Sequence, residues 1–177
     1  MEKTYTFRVA TGAKTLCKVF FFCFIIALGA KIRVPLFFSP VPITLQTLSL
    51  FLAIFFLGEK AFFSAGLYVL LGGIGFPFFS FGGGFLYFLS PTGGYIAGFV
   101  VASIFGGLLL NYHRSLRGKF FILAICNLII YVCGISWLVV GYGHRILGAL
   151  QIGAFPFILP DALKIILVLS LGKIFKK

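Results

Sequence analysis

The sequence holds three acidic residues, and one of them differs from the others in its surroundings. Glu2 lies near the N-terminus, and Glu59 lies in a short turn beside Lys60, where a solvated surface role is the simpler interpretation. Asp161 begins an apolar segment and Lys164 follows three residues later, so a helix would place both on one face. Charges within such a segment are costly unless they face a cavity. The spacing therefore favours a ligand contact, with a structural ion pair near the membrane surface as the alternative.

Pro160 directly precedes Asp161 and indicates where the last helix starts. Proline suits the first turn of a helix because its missing N–H has no intrahelical partner there. We expect the carboxylate of Asp161 to accept N–H groups of a ligand and the ammonium of Lys164 to donate to a ligand oxygen.

The other reactive residue types form no catalytic or metal-binding pattern. Asp161 has no second acid and no suitably placed histidine, and both His113 and His144 are isolated in connecting segments. No C-x-x-C pair occurs among the cysteines, which are Cys17, Cys23, Cys126 and Cys133. A phosphate-binding G-x-x-x-x-G-K-[ST] motif is also missing from the sequence. We therefore predict no enzymatic activity, no metal and no cofactor.

The elements that carry Asp161 and Lys164 must sit in a membrane. Hydrophobic residues make up 61% of the 177 residues, only 10% are charged, and mean hydropathy is +1.16. A soluble domain is about a quarter charged. The net charge of +12 would suggest nucleic acid in a soluble protein, but here the basic residues lie between apolar runs, which is typical of topology signals. We therefore predict that the chain is embedded in membrane lipid and does not bind nucleic acid.

Six apolar runs separated by breakers predict an all-α membrane protein with six transmembrane helices. A single membrane domain, 1–177, would contain a tail at 1–15 and spans at 16–34, 44–57, 61–75, 94–111, 120–140 and 160–175. The first run also loosely fits a cleaved signal peptide, with Ala27-Leu28-Gly29 as the small-residue site. Lys31 and Arg33 follow at once, which favours an uncleaved helix.

The basic residues orient these spans. Eleven of the fifteen lie in the N-terminal tail, in the turns after the second and fourth spans, and at the C-terminus. Three lie on the other side (Lys31, Arg33 and Arg145), and Lys164 lies inside the last span. The positive-inside rule therefore places both termini in the cytoplasm of a multi-pass plasma-membrane protein.

Prolines and glycines are concentrated in the three connections on the outer side. The first contains Pro35, Pro40 and Pro42, the second is the Gly-rich stretch 76–93, and the third, 141–159, is predicted to hold a short interfacial helix. Non-helical backbone near membrane depth persists only where protein or a water-filled cavity satisfies it. We therefore expect a cavity that opens on the outer face.

Small residues recur every four positions on the fourth span, at Gly94, Gly98, Ala102 and Gly106. Such a ridge lets helix backbones approach closely in lipid. The ridge predicts either packing inside the bundle or a docking face for a partner subunit.

The outer connections contain motifs that resemble those of a known family. The first motif is Val34-Pro35-Leu36 followed by Ser39-Pro40-Val41-Pro42-Ile43-Thr44-Leu45-Gln46-Thr47. The second runs from Tyr68 through Pro77 to Pro91-Thr92-Gly93-Gly94-Tyr95-Ile96-Ala97-Gly98-Phe99. The third is Phe155-Pro156-Phe157 with Pro160-Asp161 and Lys164. In this order over about residues 30–175, the motifs resemble the BioY family, the biotin-binding S components of energy-coupling factor (ECF) vitamin transporters.

The resemblance implies an S-component fold that captures biotin at the outer face. It also implies partners, namely a transmembrane coupling subunit and two cytoplasmic ATPases. The substrate-binding residues that it suggests are Asp161, Lys164, Gly83, Gly84, Tyr87, Thr92, Gly93, Tyr95, Pro42, Thr44 and Gln46. Tyr68 and Phe85 are further candidates for walls of the site, although lipid or core contact is the simpler interpretation of any single aromatic residue in this chain.

The sequence also departs from the family pattern. S components often carry Ala-x-x-x-Ala on the first helix for contact with the coupling subunit, whereas the nearest small pair here is Cys23 and Ala27. Residues 82–87 are bulkier than the small and polar residues expected there. The alternatives are a stand-alone secondary biotin transporter and an S component for another small vitamin.

Overall fold

The structure, a computed structural model, describes the backbone of residues 2–110, 112 and 115–175 and the side chains of 12–110, 112 and 115–174. The α-helices are α1 (Glu2–Lys31), α2 (Gln46–Leu57), α3 (Ala61–Ile74), α4 (Gly93–Leu110), α5 (Leu116–Tyr142), α6 (Ile146–Gly153) and α7 (Phe155–Phe175). The strands are β1 (Arg33–Leu36) and β2 (Ser39–Thr44), and 3₁₀ turns lie at Gly58–Lys60 and Phe85–Leu89. Some residues used in the sequence predictions have side chains outside this described part: Glu2, Lys3, Arg8, His113, Arg114, Lys176 and Lys177.

Within the described part, five helical segments are long and apolar enough to cross a membrane, with Gln46–Ile74 counted as one. That segment reverses direction at the turn Gly58–Lys60. Nε2 of Gln46, at the start of α2, donates to the hydroxyl of Tyr68, in the second half of α3, at 2.5 Å. Since about 1.5 Å of helix axis separates successive residues, this bond requires α2 and α3 to lie side by side and antiparallel.

The small-residue ridge of α4 packs against α5 inside the bundle. A Cβ atom added at Gly98 would lie 3.0 Å from Cα of Ile130, and one at Gly94 would overlap Cβ of Trp137. At the far end of α4, a Cβ at Gly106 would lie 2.5 Å from Sγ of Cys126. The ridge is therefore occupied within the chain, which confirms the prediction of internal packing.

Side-chain contacts show that α2 and α7 run in the same direction. Thr47, at the start of α2, bonds to Asp161 in the first part of α7. The ring of Phe55, near the end of α2, lies against Gly172 near the end of α7. The β1–β2 hairpin, the segment 75–92 and α6 consequently lie at the same end of the bundle.

The first connection, predicted only to be non-helical, is a β-hairpin. Arg33 pairs with Thr44 and Val34 with Ile43 in antiparallel register. An isolated two-stranded hairpin is marginally stable, and this one is fixed on two sides. Oγ of Ser39 donates to the carbonyl of Ile152 on α6 at 2.7 Å, and Nζ of Lys31 donates to the carbonyl of Phe79 at 2.8 Å.

The Gly-rich second connection is built around the buried ring of Phe79. This side chain is fully buried, and its ring occupies the space that a Cβ at Gly72 would need. The N–H of Gly84 donates to the carbonyl of Gly72 at 2.7 Å, which ties the loop to the end of α3. Two kinds of glycine build this loop: Gly83 lies where a Cβ would overlap the carbonyl of Phe76, whereas Gly82 and Gly84 adopt positive φ angles of 141° and 101°.

Several helix boundaries differ from the sequence predictions. Helix α5 begins at Leu116 because the hydroxyl of Ser115 accepts the N–H of Gly118 and caps it. Helix α7 begins at Phe155, so the prediction that Pro160 lies in the first turn is wrong; Pro160 lies inside the helix. The short helix predicted within 141–159 is present as α6.

Candidate functional site

A cavity lined by both polar and apolar side chains lies at the end of the bundle that carries the hairpin. Such a lining, with a few polar groups among apolar walls, is typical of small-molecule sites. Of the predicted site residues, those that line the cavity are Pro42, Thr44, Gln46, Tyr87, Thr92, Tyr95, Asp161 and Lys164. Lining residues outside that prediction are Val41, Thr47, Ser80, Ile96, Phe99, Ile130, Tyr131 and Phe157.

Asp161 and Lys164 form an ion pair at the cavity. Nζ of Lys164 lies 2.6 Å from Oδ1 of Asp161, and the two residues are 7% and 2% exposed. A buried charge without a partner costs several kcal/mol, about 3–5 when one member of a pair is removed. Each group therefore offsets the desolvation cost of burying the other.

Two hydroxyl groups complete this cluster. Oγ1 of Thr47 accepts from Lys164 at 2.8 Å and donates to Oδ1 of Asp161 at 3.0 Å. The hydroxyl of Tyr131 donates to Oδ2 of Asp161 at 2.6 Å. Helices α2, α5 and α7 thus each contribute to one polar cluster, made of Thr47, Tyr131, Asp161 and Lys164.

This polar cluster keeps hydrogen-bonding capacity that faces the cavity. An ammonium group has three N–H donors, and Lys164 uses two of them on Asp161 and Thr47. Oδ2 of Asp161 accepts from Tyr131 among the described residues, and a carboxylate oxygen has room for a second donor. The cluster can therefore accept an N–H and donate to an oxygen of the same ligand.

Other predicted lining residues use their polar atoms on the protein. The hydroxyl of Tyr95 donates to the carbonyl of Gly153 at 2.8 Å, and Gln46 donates to Tyr68. The hydroxyl of Tyr87 accepts the N–H of Phe81 at 3.4 Å. These bonds fix the aromatic rings of Tyr87 and Tyr95 as walls of the cavity.

The predicted glycines lie outside the cavity lining. The N–H of Gly84 is bonded to Gly72, and the N–H of Gly93 donates to the carbonyl of Ser90 at 2.9 Å. A Cβ at Gly83 would overlap the carbonyl of Phe76. The structure places these three residues where they shape the loop rather than where they face the cavity.

The two additional aromatic candidates also lie outside the lining. Tyr68 is fully buried behind Gln46, and Phe85 is 73% exposed. His144 and Arg145 precede α6 and are not among the lining residues. Among the described residues, no three His, Cys, Asp or Glu side chains are grouped as a metal site would require.

Tyr131 and Thr47 are the polar cluster members that the sequence prediction missed. A signal for Tyr131 existed, because Asn127 and Tyr131 stand one turn apart as polar residues in the apolar run of α5. Oδ1 of Asn127 is buried with no hydrogen-bond partner among the described groups. Thr47 ends the first family-like motif but carried no separate signal.

Together, the apolar helices and the cavity define a multi-pass membrane protein with a partly polar cavity at one end of the bundle. The chain matches the sequence profile described as the BioY family over residues 1–177. The chain therefore belongs to the BioY family. This membership places it among transport proteins of the plasma membrane rather than among enzymes.

Named relatives and a solved structure agree with this membership. The "Probable biotin transporter BioY" of Pyrococcus horikoshii is 38% identical over 86% of this chain and 90% of its own length. The "Biotin transporter BioY" of Thermotoga maritima is 35% identical over 93% of this chain and 96% of its own length. The crystal structure of "the S-component for biotin from an ECF-type ABC transporter" matches with a TM-score of 0.85 and 28% identity, over 95% and 94% of the two chains. The fold is therefore that of an S component.

Proposed function

We propose that this chain captures biotin at the outer face of the membrane as the substrate-binding subunit of an ECF-type uptake transporter. Its relatives named as biotin transporters, and its similarity to the crystal structure of an S component for biotin, support biotin as the ligand. The observation that carries the proposal is the buried Asp161–Lys164 pair in a cavity with aromatic and aliphatic walls.

The chemistry of biotin fits this cavity. Its ureido ring has two N–H donors and one carbonyl acceptor, which match the spare acceptor of Asp161 and the spare donor of Lys164. Its thiophane ring is apolar and would lie among Phe99, Ile130 and Phe157. The remaining lining residues that the sequence suggested would enclose the ligand, while Gly83, Gly84 and Gly93 would act indirectly by letting the second connection fold.

Six transmembrane spans with both termini in the cytoplasm belong to the same proposal. The antiparallel arrangement of α2 and α3 supports counting Gln46–Ile74 as two spans. In a chain without native cysteines, we expect an impermeant maleimide added outside to label Phe81→Cys and not Glu59→Cys. Labelling in the opposite pattern would reverse the orientation.

The proposed partners are a transmembrane coupling subunit and two ATPases. The sequence has no phosphate-binding loop of its own, so energy from ATP would have to come from other chains. The small pair considered for the coupling contact, Cys23 and Ala27, is buried in the bundle at 0% and 6% exposure. Another surface of the chain would therefore have to contact the coupling subunit.

Binding of tritiated biotin to the purified chain tests the proposal. We expect saturable binding below the micromolar range and a loss of at least about 100-fold in Asp161→Asn, because that change removes the charge of a buried pair. Glu59→Gln is the matched control, since it neutralises an exposed acid at the other end. Absence of saturable binding, or equal binding by Asp161→Asn, would refute the proposal.

Two further measurements separate the alternatives. A competition series with biotin, thiamine and riboflavin distinguishes biotin from other vitamins. Uptake into vesicles that contain this chain without any ATPase would favour a stand-alone secondary transporter over an ECF subunit.

A further inference from the structure

The carboxylate of a ligand needs a cationic partner, and the cavity lining contains few cationic side chains. Among the described residues, Lys164 is the one cation in the lining, and it is already paired with Asp161. If the ureido ring occupies the polar cluster, the carboxylate of the extended side chain must find another partner. That partner must lie towards the mouth of the cavity.

The depth of the cavity sets where this partner must be. Lys164 is nine residues from the start of α7, which corresponds to about 13 Å along the helix axis. Ser80 and Thr92 belong to the connection at the end of the bundle and line the same cavity. A ligand with its ring at the polar cluster would therefore extend its tail towards Ser80.

Arg33 lies beside Ser80. Its guanidinium donates to the carbonyl of Ser80 and stands 4.2 Å from the ring centroid of Phe81. It pairs in the hairpin with Thr44, which also lines the cavity. A guanidinium has five N–H donors in a planar fork that matches a carboxylate, so the bond to Ser80 leaves donors available.

The surrounding charges favour an anion at this place. Nζ of Lys31 donates to the carbonyl of Phe79, the residue before Ser80. Among the described side chains the acids are Glu59, at the opposite end, and Asp161, which is paired. Cations at a mouth with this distribution of acids raise the local concentration of an anionic ligand.

We propose that Arg33 binds the ligand carboxylate, so that the protein selects for a ligand with a free carboxylate on an extended chain. This assignment rests on the proposed function, because it assumes that the ring of biotin binds at the polar cluster. The hairpin would then contribute a charged contact in addition to the apolar surfaces of Val41 and Pro42.

Binding of biotin and of its neutral carboxamide to the same variants tests the assignment. The unaltered chain is expected to prefer biotin over the carboxamide by about 10- to 100-fold, and Arg33→Gln to lose about the same factor for biotin alone. Binding of the carboxamide by Arg33→Gln should stay within about twofold of the unaltered chain, so the preference disappears. Arg145→Gln is the matched control, because it removes a cation from the same end and should change biotin binding by less than about threefold.

Each result has a distinct meaning. An equal loss of both ligands in Arg33→Gln would assign Arg33 to holding the second connection and would overturn the inference. An unaltered chain that binds both ligands equally would also overturn it. An unaltered chain that binds neither ligand would refute the proposed function itself.

Discussion

The two halves of the helical bundle share four helices, α2, α4, α5 and α7, and differ in what those helices enclose. At the end away from the cavity, small residues bring helices together: Gly106 contacts Cys126 and Ile54, and Gly172 contacts the ring of Phe55. At the other end, α4 and α5 stay in close contact through Gly94 and Gly98, while Tyr95, Phe99, Tyr131 and Phe157 line the cavity. We call the first the closed half and the second the open half.

This difference separates the residues that stabilise the fold from those that would bind ligand. A change in the closed half should reduce stability and leave the ligand affinity of the folded protein intact. A change in the open half should reduce affinity with little loss of stability. The buried Asp161–Lys164 pair is the exception, because it lies in the open half and still carries a large desolvation cost.

The ion pair should give the largest effect. Lys164→Met leaves the carboxylate of Asp161 buried without its cation, and we expect a loss of about 3–5 kcal/mol in the free energy of unfolding. The double variant Asp161→Leu/Lys164→Met should recover most of that stability and still fail to bind biotin. Unfolding in detergent, followed against temperature, measures both.

Lys60→Met is the control for this prediction. Lys60 is exposed, and its bond to Oγ1 of Thr15 is a surface contact of 3.2 Å, so its loss should cost less than about 1 kcal/mol. If Lys164→Met unfolds at the same temperature as the unaltered chain, the pair does not carry the proposed cost.

The second largest effect on stability is expected for a substitution in the closed half. Gly106→Ala places a Cβ 2.5 Å from Sγ of Cys126, and the resulting overpacking should cost about 1–3 kcal/mol. Biotin affinity of the folded fraction should not change. Gly66→Ala is the matched control, because nothing lies within 4 Å of its added Cβ and alanine favours a helix by up to about 1 kcal/mol. Equal stability losses in the two variants would contradict the contrast between the halves.

A substitution in the cavity wall of the open half should instead weaken ligand binding more than it reduces stability. Phe99→Leu removes aromatic surface from the cavity and should weaken biotin binding about tenfold. Its effect on unfolding should be smaller than that of Gly106→Ala, because the ring borders the cavity and its shortening enlarges an existing space rather than opening a new one. Phe62→Leu, at an exposed position on α3, should change neither quantity. Equilibrium binding and thermal unfolding of both variants provide the comparison.

The smallest effect is expected for the hydrogen bond from Ser39 to Ile152, which we call the hairpin anchor. Ser39→Ala removes the bond to the carbonyl of Ile152 together with the local bonds that Oγ makes with the backbone of Val41. Neutral bonds of this kind are worth about 0.5–1.5 kcal/mol each, so biotin dissociation should accelerate only a few-fold. Ser170→Ala removes a similar bond, from Oγ to the carbonyl of Ile166, in the closed half. Dissociation from Ser170→Ala should keep its rate, and acceleration in both variants would refute a specific role for the hairpin anchor.

The sequence was informative wherever one residue type constrained its surroundings. A membrane environment followed from composition, and Asp161 and Lys164 were identified because charge in an apolar segment requires a reason. Both line the cavity. The α4 ridge was informative in the same way, since repeated small residues indicate close helix packing.

Other features depended on relations between distant segments. Tyr131 lies 30 residues from Asp161, and their bond depends on the rotation of α5 about its axis. The hairpin contains prolines that argue against regular pairing, and it is held by Ile152 and Phe79, both far along the chain. Gly83, Gly84 and Gly93 looked like places for a ligand to approach, but protein backbone fills the space beside Gly83 and Gly93, and the N–H of Gly84 is bonded to Gly72.

The bonds that Tyr131, Thr47 and Lys164 make to Asp161 tie three helices together at one point. Because α2, α5 and α7 each supply a partner, a displacement of any one of these helices would break a bond to a buried charge, which is costly. The polar cluster is therefore a cross-link of the bundle as well as a part of the cavity wall.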